Sequence, residues 1–286
     1  MIDLHVHSTF SDGTCTPAEL IELAQKAGIT VLALCDHNTV AGLPEFLAAA
    51  KGSGVEAVPG VEFSTEYKGT ELHILGLFIP PERYSDITER LNDALEQKER
   101  SNRELVLALN EAGLKMDYDL IRAANPDGMI NRAVIGAEMV RLGYVSSVKE
   151  AFSRWLGEKH GFYRPAMRPE SLEIIRFIRS IGGVSVLAHP FLDLDEAGLR
   201  SFLTEAAQSG LDGMETCYAG FDRETTELAR KIAGEYGLLE SGGSDFHGAN
   251  KPDIQIGTGR GELCVPCGFF ARLKERGQHR HNRTKF

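Results

Sequence analysis

The chain of 286 residues carries 31 Lys plus Arg against 41 Asp plus Glu, with 42% hydrophobic residues and 30 glycines, the profile of a globular protein with a substantial core. Disordered and fibrous classes are excluded, and no apolar run reaches the roughly 20 residues a bilayer-spanning helix needs. A net charge of -10 excludes broad duplex nucleic-acid binding through charge alone, so an anionic substrate has to meet metal ions or a few local cations.

In chain order, Ile2 to Val6 reads as a strand, Pro17 to Ala27 as an amphipathic helix, Val31 to Cys35 as a strand, Leu43 to Lys51 as a helix and Val55 to Phe63 as a strand. Thr16, Pro17 and Glu19 form a helix start, with a capping oxygen, a proline in the first turn and an early acid. From Pro80-Pro81 to about Arg164-Pro165 the periodicity is helical, with apolar stripes that include Leu91, Leu95, Leu105, Leu109, Ile121, Ile135, Met139 and Trp155. The alternation then returns: helix from Pro169 to Ile181, strand from Gly183 to Ala188, helix from Glu196 to Gln208, strand from Gly213 to Thr216, helix from Arg223 to Tyr236 and strand from Leu238 to Gly243. This pattern predicts an α/β domain, a parallel sheet or barrel built from residues 1–82 and 165–286, interrupted by an all-helical insertion over 83–164 that serves as a spacer or a cap. The tail from Lys274 to Phe286 is basic and polar and is expected to fray.

Asp3, His5 and His7 stand where a secretory leader would need a basic patch and an apolar run, so the start reads as folded structure and the expected location is cytoplasmic. Five cysteines, none in a disulfide-dense pattern, agree with a reducing compartment.

His5 and His7 are two apart in a strand, so both side chains project to one face and can reach one ion. Asp12 follows in the first strand-to-helix loop. The second strand ends in Asp36-His37, the third carries Glu62, the segment Glu71 to Leu77 carries His73, and His189, Asp245 and His247 follow two late strands. Apart from the pair on the first strand, each is expected at or beyond a strand's C-terminal end, where parallel α/β folds build active sites. Taken alone, His73 reads as a structural side chain and Asp12 before Gly13 as a turn residue. Taken together they do not, because all six histidines outside the insertion and the tail fall in this set. Nine candidate ligands exceed what one ion requires. A set of histidines and carboxylates suits Zn, Mn or Fe, and a bridging Glu62 allows two or three ions close together.

The pieces Asp3-Leu4-His5-Val6-His7-Ser8 with Asp12-Gly13, Cys35-Asp36-His37, Pro59-Gly60-Val61-Glu62, Ala188-His189-Pro190 and Gly243-Ser244-Asp245-Phe246-His247-Gly248 resemble the motifs of the polymerase and histidinol phosphatase (PHP) superfamily. The resemblance is greatest to small bacterial phosphoesterases of that superfamily with a helical insertion, whose substrates are nucleoside 3′,5′-bisphosphates, 5′-phosphorylated short RNA or ribose cyclic phosphate. It implies a distorted (β/α)7 barrel and hydrolysis of a phosphoester by a metal-activated water. It also implies that His5, His7, Glu62 and Asp245 hold one divalent ion, Glu62, His73 and His189 a second, and Asp12, His37 and His247 a third.

Related sequences often have Arg-x-His where this chain has Arg132-Ala133-Val134, so one substrate contact is missing while Arg132 can still clamp a phosphate. Lys159, Tyr163, Arg164 and Arg168 are further candidates for that pocket. Asp36 is expected to orient the ligands rather than to act as a base. Cys264-Val-Pro-Cys267, with His279 and His281, lacks the spacing of a zinc finger and is read as no metal site. Two other readings are weighed: a histidinol-phosphate phosphatase, and a metal-bearing module without turnover, whose signature would be degraded ligands.

Overall fold

The computed structural model describes residues 1–126, 130–164 and 168–283. Asp127 and Gly128 of the turn expected at Asn125 to Gly128, Pro165 at the expected boundary, and the side chains of Leu95 and His281 lie outside the described residues. The chain divides into two compact units, one formed by residues 1–89 with 169–286 and the other by 90–168.

The first unit runs β1 (Ile2–Val6), α1 (Pro17–Lys26), β2 (Val31–Leu34), α2 (Leu43–Ala50), β3 (Glu56–Tyr67) and β4 (Thr70–Leu77). The long helix α3 (Tyr84–Glu111) leads into the second unit, with α4 (Tyr118–Ala124), α5 (Arg132–Arg141) and α6 (Val148–Ala151). The first unit resumes with α7 (Ser171–Ser180), β5 (Val184–Leu187), α8 (Glu196–Ser209), β6 (Gly213–Tyr218), α9 (Arg223–Glu235), β7 (Leu239–Gly243) and α10 (Cys267–Arg283). Helix α1 begins where its sequence says it should. Glu19 N donates to Thr16 Oγ1 at 3.2 Å and Thr16 N donates to Glu19 Oε2 at 2.7 Å, a reciprocal cap that satisfies two otherwise orphaned donors.

The seven strands pair in sequence order, from β1 to β7. The sheet nearly closes, because beyond β7 Asp245 N donates to His5 O at 2.8 Å and His7 N donates to Phe246 O at 2.9 Å. Gly243 makes that approach possible, since a Cβ there would overlap the backbone nitrogen and Cβ of His5. The expectation of an all-parallel sheet is corrected. β4 runs antiparallel to both β3 and β5, because Lys68 and Gly69, both at positive φ, form a two-residue hairpin turn that reverses the chain without a helix. Around the sheet, Leu4, Ala33, Val58, Leu75 and Val186 share one buried cluster with Phe269 and Leu273 of α10.

Over residues 274–283 that helix corrects the expectation of a fraying tail, while residues 284–286 lie outside the described residues. Its buried apolar face anchors it, and Arg276 and Arg280 reach the buried Asp212 carboxylate at 3.1 and 2.7 Å. A basic composition recorded only the polar side of an amphipathic helix.

In the second unit no strand occurs among the described residues. Leu105, Leu109, Ile121, Ile135, Met139 and Leu156 form its core, and Asp117, Asn131 and Ser147 cap α4, α5 and α6 through backbone N–H groups.

Candidate metal centre

Burial of charge is what marks the site. Asp3, His5, His7, Glu62 and Glu215 are 0% exposed, and ionisable groups are almost never buried so completely unless paired.

The β1 alternation aims His5 and His7 at one face, with their Nε2 atoms 3.1 Å apart. Glu62 meets them from β3. Its Oε2 lies 3.2 Å from His5 Nε2, 3.1 Å from His7 Nε2 and 3.1 Å from His37 Nδ1. Its Oε1 lies 2.8 Å from His73 Nδ1 and 3.1 Å from His189 Nε2. Asp245 Oδ1 stands 3.2 Å from His7 Nε2 and 3.8 Å from His5 Nε2. Asp12 Oδ1 is 3.1 Å from His247 Nε2, and its Oδ2 is 3.8 Å from His37 Nε2. Compact donor sets form at His5, His7 and Asp245, at His37, Glu62 and His73, and at His7, Asp12, His37 and His247. His7 and His37 are thus shared more widely than the family pattern divides them.

The placement of two residues corrects the sequence reading. Glu62 sits in the middle of β3 and His73 in the middle of the reversed β4, not at strand ends. They converge because Ser64 is the partner of His73 across the hairpin, which makes Glu62 and His73 diagonal neighbours on one face. His189 and Asp245 lie just past β5 and β7 at φ +25° and +56°, left-handed backbone that L-residues adopt at a cost and that clusters at functional sites.

Electrostatics follow from this crowding. Burial alone would protonate Asp12, Glu62 and Asp245, yet the surrounding imidazoles hold all three well below the usual carboxylate range. Burial opposes charge on His7, but the Asp245 and Glu62 carboxylates beside its ring lift it to about 9. His73 rises in the same way to about 10, chiefly against Glu62, and His5 is raised well above the ordinary value by Glu62 and Glu215. His37 goes the other way, to about 3, because burial outweighs Glu62 and Asp12.

The donors fit divalent ions. Glu62 Oε2 and His37 Nδ1 are buried and make no hydrogen bond although 3.1 Å apart. Nitrogen and oxygen atoms converging at that spacing without a donated proton are arranged as ligands are around an ion roughly 2.0–2.2 Å from each.

A further layer was not foreseen. Glu215, on β6, accepts at Oε1 across 3.1 Å from His5 Nδ1 and at Oε2 from His189 N at 2.8 Å. Its signal was present in the sequence as a carboxylate inside an apolar strand. Asp3 accepts from Ser244 N and Oγ and from Gly257 N, which ties β1 to the loop bearing Asp245. Tyr218 donates to Asp245 Oδ2 at 2.9 Å. Asp36 does not touch the His37 ring. It accepts from Ser8 N, Ser8 Oγ and Ser11 Oγ at 2.8, 2.6 and 2.6 Å, bracing the loop between β1 and α1, and Ser11 Oγ is in turn 3.4 Å from His7 Nδ1.

The candidate substrate cations lie in the helical unit. Arg132 opens α5 with its guanidinium 4.1 Å from the Tyr163 ring centroid and 5.6 Å from that of Phe152, stacked as arginine stacks on aromatic faces. Lys159 and Arg164 are exposed and Arg168 is half-buried. Cys264 and Cys267 are exposed free thiols, and His279 faces Glu275 one turn away on α10.

A family model for the PHP domain matches residues 3–158. The chain is 35% identical over 246 residues to a "5'-3' exoribonuclease" of Haemophilus influenzae, covering 86% of this chain and 89% of that one. It is 29% identical over 258 residues to a "3',5'-nucleoside bisphosphate phosphatase" of Chromobacterium violaceum, covering 90% of each. A solved structure from Bifidobacterium adolescentis, assigned as a metal-dependent phosphoesterase, superposes with a TM-score of 0.86 at 28% identity over 96% of both chains. With its motifs, fold and buried ligand cluster in agreement, the chain belongs to the PHP-domain family.

Proposed function

We propose that His5, His7, Asp12, His37, Glu62, His73, His189, Asp245 and His247 hold two or three divalent ions, Mn, Zn or Fe, and that the substrate is a small phosphorylated nucleotide or ribosyl phosphate. The chain is a metal-dependent hydrolase of phosphoric esters. The observation that carries the assignment of ligands is Glu62, whose two oxygens face five imidazoles from four strand or loop segments at 2.8 to 3.2 Å. A carboxylate so placed would have an oxygen to offer each of two ions.

When bound, such ions supply an activated water and a positive field over the phosphoryl oxygens. The protein's own groups supply position. Glu215 fixes the His5 ring and the His189 backbone, Tyr218 fixes Asp245, and Asp36 fixes the loop between β1 and α1 that carries Asp12. The hydroxyls and the thiol nearest the centre among the described residues are otherwise engaged. Ser8 and Ser11 are committed to Asp36, and burial, with Glu62 next in weight, pushes the Cys35 thiol well above its usual range.

Arg132, Lys159 and Arg164 are proposed as contacts to substrate phosphate. The five free cysteines suit a reducing, cytoplasmic setting, and no helix among the described residues is long and apolar enough to cross a membrane. The substrate test is a side-by-side measurement of hydrolysis of adenosine 3′,5′-bisphosphate, a 5′-phosphorylated dinucleotide, ribose cyclic phosphate and histidinol phosphate, with Mn, Zn or Fe restored. One of the first three is expected to be fastest. Histidinol phosphate as the best substrate would overturn the substrate class, and no turnover on any of them with every metal would favour a binding module.

A further inference from the structure

The sequence reading placed every candidate phosphate cation in the helical segment, but the barrel unit brings one of its own to the ligand cluster. Lys251 Nζ lies 2.6 Å from Asp245 Oδ2. The loop that delivers it is fixed at several points: Ala249 N donates to Thr14 Oγ1 and Asn250 Nδ2 to Asp12 O, each at 2.8 Å, and Lys251 N donates to Gly248 O at 3.2 Å. The same loop therefore links Asp12 to Asp245, two carboxylates of the cluster that both face His7 and His247.

Asp245 has other partners besides this contact. Its Oδ1 faces His7 and His5, while Oδ2 already accepts from Tyr218 at 2.9 Å. The ammonium adds charge beside a carboxylate whose outer oxygen is held without it. An ammonium carries three donors, and the Lys251 side chain is 39% exposed, so donors remain directed toward solvent at the edge of the cluster. A compact cation on a flexible stem can shift from a carboxylate oxygen to a nearby phosphoryl oxygen. In a chain of net charge -10, a cation held at this point offers a phosphate what the general field does not.

We propose that Lys251 is a phosphate-contacting residue, which rests on the phosphoester reading of the site and adds a cation from the barrel unit to it. The probe is inorganic phosphate, whose binding is measured by calorimetry on the Mn-loaded wild type, Lys251→Met and Lys251→Arg, with Mn content determined by elemental analysis and KM and kcat on the best substrate. Lys251→Met is expected to weaken phosphate binding by about tenfold to a hundredfold, the scale of one charge-assisted hydrogen bond, at unchanged Mn content, with KM rising in step. Lys251→Arg should retain most of the affinity, because it keeps the charge. Unchanged phosphate affinity in Lys251→Met, or a loss that only follows falling Mn content, would overturn the proposal, the second result showing a brace for Asp245 instead. Phosphate failing to bind the wild type would overturn it as well. A phosphate-affinity change without hydrolysis of any ester would leave Lys251 in place and remove the phosphoester reading, so the two failures are distinguishable.

Discussion

The two units of this chain treat their charges in opposite ways. In the barrel unit, histidines and carboxylates are buried against one another until Glu62 faces five imidazoles, while in the helical unit the singled-out cations are exposed, half-buried or stacked on aromatic rings, as Arg132 is on Tyr163. Burying charge costs several kcal/mol per ion unless partners compensate, and a fold retains that cost where chemistry needs it. Stacking a guanidinium on an aromatic face is inexpensive and common. On the proposed reading the first unit binds the ions and the second contributes to recognition, a division that kinetics and metal analysis test.

The sharpest way to break this contrast is to remove a ligand. His5→Ala or Asp245→Ala is expected to strip most of the metal and to lower turnover by about three orders of magnitude or more, since each removes part of an ion's ligand set. Elemental analysis with an assay decides it, and full metal content at a normal rate in either variant would remove that residue from the centre.

The next largest effect tests the layer behind the ligands. Glu215→Gln keeps the shape but removes the charge that orients His5, so metal affinity should fall by about tenfold to a hundredfold, as loss of such supporting partners does. Metal titration against a competing chelator measures this, and an unchanged affinity would make Glu215 a packing residue only.

In the helical unit, Arg132→Ala should lower kcat/KM by roughly tenfold to a few hundredfold, the worth of a bidentate phosphate contact, at full metal occupancy. Arg132→Lys should recover part of the loss. A silent Arg132→Ala would confine its role to contacts such as its stacking on Tyr163 and Phe152, with Lys159, Arg164 and Arg168 next to test. The smallest effect is expected at the thiols. Cys264→Ser and Cys267→Ser should leave metal content and turnover unchanged, because two thiolates supply half of a structural zinc site. Loss of one zinc per chain on either change would contradict that.

Much of the barrel could be read from alternation and caps, since Thr16 and Glu19 do at the start of α1 what their types and spacing require. The reversal of β4 could not, because Lys68 and Gly69 make a weaker turn signal than the dipeptides usually found there, and the expectation of parallel strands then set Glu62 and His73 at strand ends. The nine candidate residues could be read as one group because the six histidines outside the insertion and the tail fall, with three carboxylates, on strands or in the loops that follow them. Glu215 and Lys251 were not, for opposite reasons. Glu215 is a single acid in a short strand whose burial only the closed sheet reveals, and Lys251 is an ordinary loop lysine until the turn after His247 folds it back on Asp245. The tail was misread because composition reports the exposed side of α10 and not Phe269 or Leu273 beneath it.

The central claim is that the buried cluster holds divalent ions on which phosphoester hydrolysis depends. It is tested most directly by stripping the wild type with a chelator, restoring Mn, Zn or Fe stepwise, and measuring bound metal and hydrolysis of the best substrate on the same samples. The account predicts no turnover in the stripped protein and recovery that follows the binding of two or three ions per chain. Full hydrolysis by protein shown to be free of metal, or a chain that retains no ion under any of these conditions, would contradict it.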